Sequence, residues 1–209
     1  MKTLLSMIAI LFVLSAQSAF SEPPQVLSKE TPIIFDKSAG TVSFLAEVNG
    51  KYFYQPTRHF AVSATGSNGD KAILRGLVPA ADFYSALKEI GAIPGENMTP
   101  ENKEVTHVQG SALAVSVTWK GASRSYSIDE VVIDSNKKPI LMRFGGNLAN
   151  SEKMKTGCLL CLDSCPVGIV SNSQYAYGAL EKRGEVEMRG NKDILPPDGT
   201  AVVVTVQLL

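Results

Sequence analysis

Thr41-Val42-Ser43-Phe44-Leu45-Ala46-Glu47-Val48 places apolar and polar side chains alternately, and Asn49-Gly50 follows before Lys51-Tyr52-Phe53-Tyr54. Alternation puts one set of side chains on each face of a strand, so the octet reads as a half-buried β-strand. Asn-Gly supplies the two positive-φ residues of a tight turn, and the segment predicts a hairpin over 41–54. Working outward, 58–64 and 71–75 predict a second strand pair, joined across Gly66-Ser67-Asn68-Gly69. Val105 to Lys120 and Arg124 to Ile128 predict another hairpin, with Trp119, the single tryptophan, as a core residue. Pro139 to Phe144 and Ala201 to Leu208 predict late strands, the last of them buried.

A different period governs Pro79 to Ile90. Phe83, Leu87 and Ile90 share one helical face, Pro79 suits a first turn, and Gly91 stands where a C-terminal cap belongs. Ser127-Ile128-Asp129-Glu130 has capping-box spacing, but the following Val131-Val132-Ile133 favours a strand, and both readings stay open. The expected class is α+β: a mostly antiparallel β single domain with one clear helix, about 79–90, and a cysteine-bearing loop near 158–165.

The 209 residues carry 20 Lys+Arg against 20 Asp+Glu, with 44% apolar and 19% charged. That is globular composition, and it excludes disorder and coiled coil. With no net charge and no basic run interleaved with aromatics, nucleic acid and anionic lipid surfaces are not expected partners. Residues 1–21 combine Lys2, the apolar run Leu4 to Leu14 and the small residues Ala19 and Ser21. This is the pattern of a Sec-type secretory signal, about half the length of a membrane span. The expectation is therefore an exported protein, periplasmic or secreted, without a membrane span in the mature chain 22–209, which reads as one domain.

All three cysteines fall in Cys158-Leu159-Leu160-Cys161-Leu162-Asp163-Ser164-Cys165-Pro166, a C-x2-C-x3-C-P string. No His follows Cys161, which excludes covalent haem attachment. The string matches the last three cysteines and the proline of a bacterial ferredoxin run, with Lys155 where the first cysteine would stand. Cys158, Cys161 and Cys165 are thus candidate ligands for an iron-sulfur cluster such as 4Fe-4S, or for Cu(I) or Zn²⁺, with Asp163, His59, His107, solvent or a partner as fourth ligand. Two other readings stand beside this one. In an oxidising compartment Cys158 and Cys161 can form a structural disulfide on a non-catalytic binding module. A C-x2-C pair can also be a redox dithiol, with Cys158 or Cys161 attacking. No G-x-S-x-G elbow, H-E-x-x-H helix or phosphate-cradling glycine loop occurs, and His59 and His107 each read as structural first. A carrier or metal-binding protein is expected rather than an enzyme, with a redox or metal-delivery protein as partner.

Four segments together resemble the exported proteins of the YdjY type: 48–53 with Pro56-Thr57-Arg58-His59, 72–76, 83–95, and 158–171. The resemblance runs from about Asn49 to Leu209. It implies a ferredoxin-like protein by virtue of the cysteine string, on a β-rich scaffold whose folding does not require the cysteines.

Overall fold

The computed structural model describes residues 26–209. The signal over 1–21 and the proline-rich 22–25 lie outside the described residues. Strand β1 (Ile33–Asp36) leads into β2 (Thr41–Val48), then β3 (His59–Ser63) and β4 (Ala72–Gly76). Helix α1 (Ala80–Glu89) precedes β5 (Ala112–Trp119), the short β6 (Tyr126–Ser127), α2 (Ile128–Val131) and β7 (Val132–Asp134). The chain ends with β8 (Met142–Phe144), α3 (Leu148–Met154), β9 (Cys158–Cys161), β10 (Val170–Asn172), β11 (Met188–Gly190) and β12 (Ala201–Leu208).

Eight strands close on themselves in the order β2-β12-β5-β8-β10-β9-β3-β4, and β4 returns to β2 through Ala46 opposite Gly76. β1 and β6 extend this sheet outside the ring. Closure removes the open edges that would otherwise template association. The alternation in the opening octet is realised: Val42, Phe44, Ala46 and Val48 are buried, as are Val202, Val204 and Val206 of the neighbouring β12. α1 packs on β1, β2 and β9, and sets Phe83 edge-on to Phe44 at 5.2 Å.

The expected α+β class with a mostly antiparallel sheet and one clear helix is overturned. The sheet is a closed, mixed barrel with few helices, because β3 with β4 and β9 with β10 run parallel. The signal lay in the residues: β3 and β9 are buried at every position, and parallel strands covered on both faces read as continuous apolar runs. The 58–64 and 71–75 segments are neighbours as expected, but their connection carries the chain back along β3 rather than reversing it.

The Asn49-Gly50 hairpin does not form. Asn49 has φ −110°, its N–H donates to Ile73 O at 2.8 Å, and its side-chain amide donates to Asp70 O at 3.2 Å. Gly50–Phe53 coils into a 3-10 turn that buries Tyr52, and β2 takes β1, β12 and β4 as partners instead. α1 lies where the periodicity put it, closed by Gly91 at φ +86°. Both readings of 127–133 hold in turn. Glu130 caps the single turn of α2, and the chain then becomes β7. Trp119 is half-buried against the core and stacks on Tyr126 at 5.1 Å.

Candidate metal centre

Cys158 and Cys161 lie on β9 rather than on a loop, and only Cys165 follows in the connection to β10. In a regular strand, residues three apart point to opposite faces. Here the β3–β9 ladder shifts register twice, pairing His59 with Cys161, Ala61 with Leu160 and Val62 with Cys158. Such bulges re-aim side chains. Cys158 and Cys161 consequently share one small buried group with Val62, Ala72, Cys165 and Val167, apart from the main core that receives Leu159 and Leu160.

His59 enters the same space from β3. Its Nδ1 lies 3.7 Å from Cys158 Sγ, and the donor atoms of His59, Cys158 and Cys161 all fall within 4.8 Å of one another. Asn68 points its Nδ2 at Cys158 Sγ from 3.8 Å, while its Oδ1 accepts from Lys71 Nζ at 3.1 Å. Gly168 packs closely against the thiols: a Cβ there would stand 2.6 Å from Ser171 Oγ and 2.9 Å from Cys161 Sγ. Ser171 Oγ is the one buried side-chain polar atom without a hydrogen-bond partner among the described residues.

The loop after β9 is held firmly. Leu162 N–H donates to Arg58 O at 2.8 Å, Asn147 Nδ2 donates to the carbonyls of Cys165 and Gly168, and Asn150 Nδ2 donates to Pro166 O. Asn147, at φ +51°, thus anchors the Cys165 segment. Asp163 is fully buried against Arg58, accepting from Nε at 3.1 Å and Nη2 at 2.5 Å, and it also accepts from Gly178 N–H. Burial pushes the Asp163 carboxyl up while Arg58 and the Gly178 N–H pull it back; burial works against the Arg58 charge, yet Asp163 together with the Cys165 and Cys161 thiols keeps Arg58 above its ordinary value.

The thiols are electrostatically unequal. The neighbouring Cys161 thiol, followed by the imidazole of His59, holds Cys158 down to about 4 against the opposing effect of burial. Cys161, facing Cys158 and Cys165 in full burial, is pushed well above the ordinary thiol value. All three are free thiols. Proton sharing of this kind is what a soft cation replaces, since thiolates are the metal-binding form.

A family model described as the YdjY domain matches residues 33–207. The chain belongs to the YdjY family. A YdjY relative from Escherichia coli (strain K12), named "Uncharacterized protein YdjY", is 54% identical over 182 residues, which cover 87% of this chain and 81% of its own. No solved structure matches the chain. Of the proposed fourth ligands, His59 joins the cysteines; Asp163 is committed to Arg58, and His107 Nδ1 sits 2.6 Å from Ser173 O. Cys165 borders the same group but lies outside the tight trio. Asn68 and Ser171 escaped the sequence reading, because a turn asparagine and a strand serine carry no motif.

Proposed function

We propose that this YdjY protein is an exported metal-binding protein that holds a single thiophilic ion, Cu(I) or Zn²⁺, between Cys158, Cys161 and His59, with Cys165 supplying the remaining thiolate. The observation that carries the reading is the convergence of an imidazole and two thiols within 4.8 Å. Tetrahedral Zn²⁺, with Zn–S near 2.3 Å and Zn–N near 2.0 Å, sets neighbouring donors about 3.5 to 3.8 Å apart. The 3.7 Å between His59 Nδ1 and Cys158 Sγ matches that spacing. A cubane, whose thiolates sit on separate irons around a bulky core, calls for a wider arrangement. The compact trio therefore supports one ion over the ferredoxin-like electron carrier.

The residues already perform what a bound ion requires. The β3–β9 bulge aims the donors, Asn68 orients Cys158, and the buried Arg58–Asp163 pair braces the loop that carries Cys165. Such outer partners fix ligand geometry as much as the ligands do. The bound ion would supply a closed thiolate-imidazole centre, suited to storing or passing on a soft cation.

The test is elemental. Iron, copper, zinc and acid-labile sulfide are measured on mature protein purified without air from its native compartment. A single copper or zinc per chain without sulfide, lost in Cys158→Ser and Cys161→Ser, is the expected result. Iron with matching sulfide would replace it with the electron carrier. Metal-free protein that takes up no ion on reconstitution would leave a thiol protein without a metal role.

A further inference from the structure

The centre is reached through a cleft of about 360 Å³ whose floor includes His59, Asn68 and Cys165. Lys71, Lys103 and Lys153 stand around it against a single acid, Glu181, and Arg58 at its base is neutralised by Asp163. The chain as a whole has no net charge, so this excess is a local arrangement. Lys153 makes no ion pair among the described residues, and Lys103 lies over the Tyr177 ring at 4.9 Å. An electropositive cleft with low-dielectric walls repels a free metal cation and concentrates anions. The mouth and the floor thus select opposite charges, unless what enters carries the metal inside an anion.

Building on the metal-binding reading, we infer that the cleft recognises a carrier: the ion reaches Cys165 as a small anionic thiolate complex, not as a free cation. The volume suits a ligand of small-molecule size, and Met154, Pro166 and Val167 offer an apolar wall beside the lysines. Transfer is a ligand exchange. Cys165 Sγ forms its bond to the metal as the bond to the carrier's sulfur breaks, and the Cys165 proton leaves on the departing carrier, which exits as a thiol. The metal keeps its oxidation state throughout. Cys161 then binds by the same exchange, its proton leaving with a second carrier thiolate as a thiol, while Cys158 and the His59 imidazole add their lone pairs and draw the ion inward.

The experiment presents Cu(I) without air to the metal-free full chain on two small thiol carriers of opposite charge, mercaptoacetate and cysteamine. Transfer is followed by the ultraviolet absorption of the new copper-thiolate bonds. At low salt, loading from mercaptoacetate should outpace cysteamine by about tenfold or more, and this advantage should fade at high salt. The Lys103→Glu/Lys153→Glu variant should reverse the order while reaching the same final copper content. Equal rates from both carriers in the unmodified chain would overturn the carrier inference and leave the metal centre standing. Failure to load from either carrier, or from excess Cu(I) in acetonitrile, would overturn the centre itself and the cleft's role with it.

Discussion

Asn68 and Cys158 are 90 residues apart in the chain, yet the amide Nδ2 of one lies 3.8 Å from the Sγ of the other. Lys71 fixes the amide orientation by donating to its Oδ1, which leaves the NH₂ group no choice but to face the sulfur. Asn68→Ala should therefore weaken metal binding by about 10- to 100-fold without altering the metal-free fold. Competition with a chelator, alongside circular dichroism, checks both halves of the expectation.

Arg58 and Asp163 form an ion pair with side-chain exposures of 7% and 0%. Removing one partner strands a buried charge, and Asp163→Asn should destabilise the metal-free protein by about 3 to 5 kcal/mol. The Arg58→Met/Asp163→Leu double variant should recover most of that loss, since both desolvation penalties disappear together. Urea unfolding of the three proteins decides it, and a double variant no more stable than Asp163→Asn would contradict the pairing.

Ser171 Oγ lacks a partner beside Cys161, so Ser171→Ala should raise the stability of the metal-free protein by about 1 to 3 kcal/mol. Gly168→Ala acts in the opposite sense, because its Cβ would collide with that same hydroxyl and with Cys161 Sγ. A cost of about 1 to 3 kcal/mol is expected there. Combining the two should relieve part of it, which thermal or urea unfolding can read directly.

Arg124, through its hydrogen bonds, and the Ser127 N–H hold the Glu130 carboxyl down to about 2. A carboxyl depressed in the folded state stabilises above its unfolded value near 4.5, and that contribution fades as pH falls toward 2. Glu130→Gln should accordingly be less stable than the parent at pH 6 and indistinguishable from it near pH 2. A deficit that persists at the acid end would mean the side chain acts by packing rather than by charge.

Single elements were legible where one face is wet, but their closure into a barrel was not. β2 and α1 announced their periods, and Ser127 to Glu130 announced its cap. The failures occurred where burial on both faces erases period. His59 to Ser63 and Cys158 to Cys161 carry the parallel pairings, but an apolar run says nothing of direction or of which strand lies beside it. Asn49-Gly50 misled for a related reason. Tertiary hydrogen bonds to Ile73 O and Asp70 O outbid the local turn.

The candidate centre was half visible. The cysteine string named three thiols, but i to i+3 spacing on a strand gives no hint that Cys158 and Cys161 converge, because the bulge that brings them together lies partly in β3. His59 could be named as one of several donors and not chosen. The lysines around the cleft come from separate segments, and in a chain of zero net charge nothing marks them as a group.

β3 and β9 are neighbours in the barrel wall, while His59 and Cys158 are separated by 99 positions in the chain. A long excursion must be completed before the two strands can meet, and contacts of such sequence separation form late. During synthesis the imidazole waits for partners that do not yet exist, and the cysteines arrive in one burst near the end. The three-donor geometry is consequently a property of the finished barrel: a half-made chain offers a histidine without its thiols, and the proposed centre has no precursor until β3 and β9 pair.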